Sequence, residues 1–420
     1  MRGIAASWLL SGDGQSAPLR DGAVVLDEAE RIVAVGPAAV LRRDHAAAHW
    51  EQHAAVLTPG LVNAHTHLEL SALRGQVPGG GGFVPWVDAL VAARVRLQPE
   101  ANGEAIDQAV SELLQAGVVL VGDVSNSLAA VDTLGAVPIL GWVFHEVFGM
   151  RKDVGEVTLG LARQARAQRP HWPANLRYAL APHTAYTLHP DVLREIVVAA
   201  DGGDARTSLH LAEHAAERAF LQTGGGAIAQ WLSARGASTL DWTVPGCDAV
   251  SYAQRLGVLG PRVIAVHLCD ARPDEIAQVA AAGSPVVLCP RSNLHIELKL
   301  PPLLEILRAG IHPALGTDSL ASNASLDPLA EARALRQRFP SVAPRQLLAM
   351  ATSYGAEVLG FAHLVGRLAP GLSPGVIAFE HGSSAVDDPE RYVLEHDKAP
   401  RRVLSRPAYQ RSAPLTEIHA

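Results

Sequence analysis

Leu61-Val-Asn-Ala-His65-Thr-His67-Leu-Glu69 is a short apolar run that ends in two histidines two residues apart. Alternate side chains of a β-strand leave the same face, so both imidazoles point to one side. Two neutral rings so placed can hold a divalent metal at roughly 2.0–2.1 Å. A His-x-His pair alone is weak grounds for a metal site, and its weight depends on what the fold brings beside it.

From about residue 58 onward, apolar runs alternate with helical patterns, the βαβα texture of a parallel sheet. Strands are predicted at Leu61–His67, Val118–Val124, Pro138–Phe148, Leu176–His183, Thr207–His214, Val263–Cys269, Pro285–Asn293 and Pro313–Ser319, with helical stretches such as Val84–Leu97, Glu104–Gln115, Val192–Ala200, Ile276–Ala282 and Pro302–Ala309 between them. Eight strands separated by helices favour a closed barrel over an open sheet, and no Gly-x-Gly-x-x-Gly follows the first strand to support a dinucleotide fold. The glycine runs Gly79–Gly82 and Gly224–Gly226 lack phosphate-loop spacing and read as loops. Before this region, Ala5–Leu10, Gly22–Leu26 and Arg31–Val35 read as short strands with Gly and Asp at the bends, and after it Gly366–Phe379 returns to strand-and-turn texture. The predicted fold class is α/β: a (β/α)8 TIM barrel over 58–365, a small discontinuous β-sandwich domain formed from both termini (1–57 plus 366–400), and a peripheral tail over 401–420.

Composition excludes several classes of function. The chain has 420 residues, of which 48% are hydrophobic and 18% charged, as in an ordinary compact protein. A net charge of −7 leaves no footprint for nucleic acid or an anionic membrane. Cys247, Cys269 and Cys289 are odd in number and far apart, which argues against a disulfide scaffold and for a reducing compartment. The run Ile4–Leu10 reads as a strand, not a signal-peptide core, and no apolar segment reaches bilayer-spanning length. The expectation is a soluble, cytoplasmic protein with a small-molecule partner, no nucleic acid and no membrane.

Catalytic groups of barrels cluster at the C-terminal ends of the strands, and scattered structural histidines have no reason to obey that rule. Here His65 and His67 end the first predicted strand, His183 the fourth, His210 and Glu213 the fifth, His267 the sixth and Asp318 the eighth. Three imidazoles (His65, His67, His210) and one carboxylate (Asp318) make a donor set suited to Zn2+ or Fe2+. A metal with an open position lowers the pKa of bound water to about 7, supplying hydroxide at neutral pH. Asp318 can accept a proton from that water. Glu213 can protonate a ring nitrogen and then pass a proton to departing ammonia, and His267 can orient the water. His183 reads either as a substrate contact or as a structural imidazole. Lys152, Lys299 and Lys398 are the only lysines, none of them at a strand end, so the carboxylated lysine that bridges two metals in related hydrolases has no counterpart. One divalent metal is expected, and no organic cofactor.

These segments, with Ala181-Pro-His-Thr-Ala-Tyr-Thr187, Cys289-Pro-Arg-Ser-Asn293 and Gly316-Thr-Asp-Ser-Leu-Ala-Ser-Asn323, resemble the amidohydrolase superfamily over nearly the whole chain. The resemblance is to its mononuclear metal-dependent deaminase branch, which includes methylthioadenosine/adenosylhomocysteine deaminases, guanine deaminases and chlorohydrolases. It implies a single Zn2+ or Fe2+, Glu213 as proton shuttle, and homo-oligomerisation as a family expectation. His67-Leu-Glu-Leu-Ser71, Phe144-His-Glu-Val-Phe-Gly149 and Pro290-Arg-Ser-Asn293 are most similar to aminodeoxyfutalosine deaminases of menaquinone biosynthesis. On that likeness Glu69, Glu146 and Arg291 join His183 as candidate substrate contacts. The same centre could serve amide or chloride hydrolysis on guanine, a triazine, a pterin or a lactam. A scaffold without activity would have eroded ligands, and none of the expected ones is missing. The C-terminal segment Gly371-Leu-Ser-Pro-Gly-Val departs from the Lys-x-Ala-Asp-Leu that relatives carry there.

Overall fold

A computed structural model describes residues 1–201, 205–237 and 242–408. Its described residues contain three sheets. Two are parallel and four-stranded. The first joins β5 (Leu61–Thr66), β6 (Val118–Ser125), β7 (Leu140–Val147) and β8 (Leu176–Pro182). The second joins β9 (Thr207–Leu211), β10 (Val263–His267), β11 (Val286–Leu288) and β12 (Ala314–Leu315). The two sheets meet along both edges. Thr317 and Asp318 donate their backbone N–H groups to the His65 carbonyl at 2.9 and 3.0 Å, and His210 donates its own to the His183 carbonyl at 3.1 Å.

These strands form because both of their faces are buried, the condition that favours near-continuous runs of Val, Ile, Leu and Ala. One apolar cluster takes Val62, Leu120, Trp142, Ala179, Ile264, Val287 and Ala314 from seven of the strands. A second takes their neighbours Leu61, Val121, Val143, Leu180, Ala265, Val286 and Leu315, and packs them against helices such as Pro99–Ala116 and Pro190–Asp201. The alternation is the period of two that a pleated strand imposes.

The third sheet takes strands from both ends of the chain: β1 (Arg2–Leu9), β2 (Leu19–Leu26), β3 (Ile32–Pro37), β4 (His49–Pro59), β13 (Val376–Glu380) and β14 (Arg401–Ser405), in the order β14-β13-β4-β1-β2-β3. It is a single six-stranded mixed sheet where two facing sheets of a sandwich were expected. Three further expectations change. Strand β4 was not predicted, because its first half, His49-Trp-Glu-Gln-His53, is mostly polar and nowhere fully buried, and it crosses the expected boundary at 57/58. The predicted peripheral tail begins instead with β14, which pairs with β13; Arg401 reaches Asp327 at 2.7 and 3.0 Å, and 409–420 lie outside the described residues. The predicted strand Pro285–Asn293 stops at Leu288, and Pro290 opens the helix Pro290–Glu297, as proline favours at a first helical turn.

Candidate active site

His65 is the penultimate residue of β5 and His67 follows the strand directly. Their ring centroids lie 5.0 Å apart, and the His65 ring is 5.0 Å from that of His210 in β9. Ligand atoms of His65, His67 and His210 fall within 4.8 Å of one another, as do those of Glu213, His267 and Asp318. Asp318 Oδ1 is 4.0 Å from His65 Nε2 and 3.6 Å from His67 Nε2. His65 Nε2 is buried and has no hydrogen-bond partner, a costly state for a polar atom unless something else occupies its lone pair. His210 donates Nδ1–H to the His183 carbonyl at 2.9 Å, which leaves its Nε2 lone pair available. Burial holds His65 well below the ordinary histidine pKa and His210 at about 3, so the imidazoles are neutral. Three imidazoles and a carboxylate around one orphaned buried atom fit a divalent metal.

Asp318 would be pushed up by burial, but His67, His267 and the Ser292 hydroxyl outweigh this and hold it below the usual carboxylate range. Ser292 Oγ donates to its Oδ2 at 2.6 Å and the Ser319 N–H to its Oδ1 at 2.7 Å. Glu213 shifts the other way. Burial, with Asp318, Glu217 and Glu297 nearby, raises its carboxyl well above the ordinary value. His267 Nε2 lies 3.6 Å from Glu213 Oε1, and Asn293 Nδ2 donates to His267 Nδ1 at 3.3 Å. Burial lowers His267 to about 4. One carboxyl shifted down and one shifted up thus face the same small volume, the arrangement of a base and an acid working together.

The cavity holding these groups has a volume of about 500 Å3. His67, His183, His210, Glu213, His267, Asp318, Glu146 and Asn126 line its inner part. Its outer wall is largely apolar, with Phe83, Trp86, Leu90 and Val91 from helix Phe83–Arg94 and Trp231 and Leu232 from helix Gly226–Ala234. An ion pair between Asp88 and Arg235 ties these two walls together.

The four candidate substrate contacts divide evenly. His183 and Glu146 line the cavity. His183 Nδ1 bonds the Thr187 hydroxyl at 2.8 Å. Glu146 accepts from Asn126 Nδ2 at 3.0 Å through Oε2, while its buried Oε1 makes no hydrogen bond and lies 3.6 Å from His210 Nδ1. Glu69 does not line the cavity: its carboxylate accepts from the Ser125 and Ser127 hydroxyls and from the Asn126 and Ser127 N–H groups, and pairs with Arg94 at 3.0 Å. Arg291 also lies outside it, with its backbone N–H on Glu331 and its side chain beside a separate hollow formed with Arg74 and Ala321. In the Pro-Arg-Ser-Asn stretch it is Ser292 and Asn293 that face the site. Sequence reasoning missed both, along with Asn126, although Asn126 follows the end of β6 and Ser292 and Asn293 stood in a quoted motif. They were passed over because neither amides nor hydroxyls are metal-ligand or acid–base types.

Buried histidines and paired carboxyls at the ends of parallel strands fit the centre of a metal-dependent hydrolase. Residues 56–405 match the model of the amidohydrolase family, and the chain belongs to that family. It is 34% identical over 353 residues to the aminodeoxyfutalosine deaminase of Deinococcus radiodurans, covering 81% of either chain. It is 30% identical to the 5-methylthioadenosine/S-adenosylhomocysteine deaminase of Nitratidesulfovibrio vulgaris strain Miyazaki F, covering 88% of this chain and 81% of that one. The crystal structure of Helicobacter pylori aminofutalosine deaminase in complex with methylthio-coformycin shares the fold, with a TM-score of 0.82 at 23% identity over 94% of this chain and 95% of that chain. No helix among the described residues is long and apolar enough to cross a membrane.

Proposed function

We propose that this chain is a metal-dependent hydrolytic deaminase of an aminopurine nucleoside, with aminodeoxyfutalosine as its substrate. The observation that carries the reading is the opposed pair Glu213 and Asp318, one carboxyl raised and one lowered, on a cluster of neutral histidines at the inner end of the cavity. The 34% identity to the Deinococcus enzyme supports the choice of substrate. We read the two parallel sheets as halves of one closed (β/α)8 barrel, a reading supported by the hydrogen bonds from Thr317 and Asp318 to His65 and from His210 to His183.

His65, His67, His210 and Asp318 would hold one metal, to which we assign Zn2+ on the chemistry of three imidazoles and a carboxylate. When bound, it supplies Lewis acidity and a nucleophilic water at neutral pH. The ionised Asp318 takes a proton from the attacking water. Glu213, protonated in the resting site, gives its proton to the ring nitrogen next to the carbon under attack. The proton leaving the new hydroxyl as the carbon becomes a carbonyl passes through Glu213 to the exocyclic amine, which leaves as ammonia, and the proton held by Asp318 returns to Glu213. His267, with its Nδ1 accepting from Asn293, keeps Nε2–H directed at Glu213 and the water. His183 and Glu146 Oε1, which makes no hydrogen bond within the protein, remain to hydrogen-bond the nucleoside, and the apolar outer wall takes up whatever extends from its sugar.

The test is ammonia release by metal-loaded protein from a panel of adenine nucleosides that includes aminodeoxyfutalosine. Stoichiometric ammonia, and a product mass showing exchange of NH for O, is the expected result. No release from any member of the panel overturns the reading.

A further inference from the structure

Glu213 sits on a turn that begins where β9 ends. Ala212 has a φ of 49°, a left-handed conformation that a residue with a Cβ keeps only where its surroundings enforce it. The methyl side chain of Ala212 cannot supply that enforcement. A single buried carboxyl collects the N–H groups of the turn instead: Glu217 accepts from Glu213 N at 2.8 Å and from Ala212 N at 3.3 Å. Glu217 is 1% exposed and does not line the cavity.

An ordinary capping role does not explain this geometry. His214 is the N-cap of helix Ala215–Thr223 and its ring accepts from the Glu217 N–H, so Glu217 holds the third helical position. In a capping box that glutamate would reach back to the N-cap N–H. Here it reaches past His214 to the two residues before it. His214 is braced separately, by the Tyr186 hydroxyl at 3.2 Å and by the Phe83 ring stacked 3.8 Å away.

We propose that Glu217 is a positioning residue that acts through Glu213: by holding the left-handed Ala212–Glu213 turn, it sets the direction in which the Glu213 carboxyl enters the cavity. The inference rests on the reading of Glu213 as the proton-transfer group. Ala212 could relax toward an extended conformation without that carboxyl, and Glu213 would swing with it.

Glu217→Gln keeps the volume but turns one acceptor into a donor that faces an N–H. In metal-loaded protein we expect kcat to fall by about 10- to 100-fold, KM to stay within about threefold, and bound metal per chain to be unchanged. Glu217→Asp, which keeps both acceptor oxygens on a shorter arm, should recover part of the lost kcat; if the Gln variant does not fold, the Asp variant alone should show the lowered kcat with KM held. A crystal structure of the folded variant should show the Ala212–Glu213 peptide rotated and Glu213 displaced. Wild-type kcat in a folded variant, a loss of kcat that follows a loss of metal, or an undisplaced Glu213 overturns the proposal. Wild-type protein inactive on every nucleoside overturns the deaminase reading instead, and the crystal structure still decides the position of Glu213.

Discussion

Strands β5–β8 and strands β9–β12 contribute to one cavity by different means. The first four are 6, 8, 8 and 7 residues long, the second four 5, 5, 3 and 2. Left-handed residues other than glycine fall mainly on the second set: Ala212, His267, Leu268 and Asp318 lie at or just past its strand ends, against Leu128 alone in the loop after β6. The long strands deliver His65 without a left-handed residue, although the β5–β6 register shifts between Asn63 and Thr66, and knit their loops with a hydrogen-bonded carboxylate, Glu69. The short ones break early and use strained turns to aim Glu213, His267 and Asp318. Strain of this kind is kept only where the surroundings over-determine it, here through Glu217, Ser292 and Asn293. Damage to the residues that hold the turns of the second set should therefore appear in turnover, and damage to Glu69, which knits the loops of the first, in stability.

The largest expected effect is that of Glu213→Gln. The amide is isosteric but cannot cycle a proton, so kcat should fall by about 10²- to 10⁴-fold, with bound metal unchanged by elemental analysis. A variant with full metal and full turnover would break the assignment of acid chemistry to this set. Next comes Ser292→Ala, which removes the 2.6 Å bond to Asp318 Oδ2. Groups that orient a metal ligand are typically worth about 10- to 100-fold in metal affinity or activity, to be read from competition with a chelator and from kcat. In the first set, Glu69→Gln should do the reverse. It leaves N–H and hydroxyl donors around Ser125–Ser127 poorly paired, at a cost of about 1–3 kcal/mol for each buried donor left unmade. The thermal midpoint should drop while kcat stays within a few-fold. A kcat loss larger than that of Ser292→Ala would sink the distinction between the two sets.

The same asymmetry decides what could be read from the chain. The His-x-His pair, His210, Glu213, His267 and Asp318 were legible because each is a chemically distinctive type at the end of an apolar run. Their convergence needs only strand periodicity and the rule that such ends share one face of the sheet. Glu69, a candidate on the family likeness, does not line the cavity, because one 3-10 turn, Leu68–Leu73, turns its carboxylate toward the Ser125–Ser127 loop. Arg291 was misread in favour of its neighbours because the strand predicted through Asn293 ends at Leu288, and the helix from Pro290 changes which residues face inward. Glu217 and Asn126 carried no signal of their own. Their value lies in which backbone N–H or carboxylate they meet, and only the three-dimensional turn shows that. In the terminal sheet, β4 escaped notice because its first half lacks the apolar alternation by which strands are recognised.

The smallest effect concerns pH and stability. Burial holds His210 and His214 at about 3 and His267 at about 4. The unfolded chain protonates these rings below 6.5 while the folded one does not, so their burial favours unfolding progressively as pH falls from that value. Of the carboxyls that burial raises beside the second set, Glu217 reaches about 8 and Glu331 about 7, from an ordinary 4.5. A carboxyl kept neutral in the fold favours folding most below its unfolded pKa, and that advantage is lost as pH rises through its folded value. The two trends oppose each other between 4.5 and 6.5, and above 6.5 only the carboxyls still act. The thermal midpoint of the metal-loaded protein should therefore decline from pH 6.5 to about 8.5, by a few degrees at most. Glu217→Gln should make that decline shallower, whereas Glu69→Gln should lower the whole curve without changing its slope. An equal change of slope in both variants would place the pH sensitivity outside the β9–β12 half.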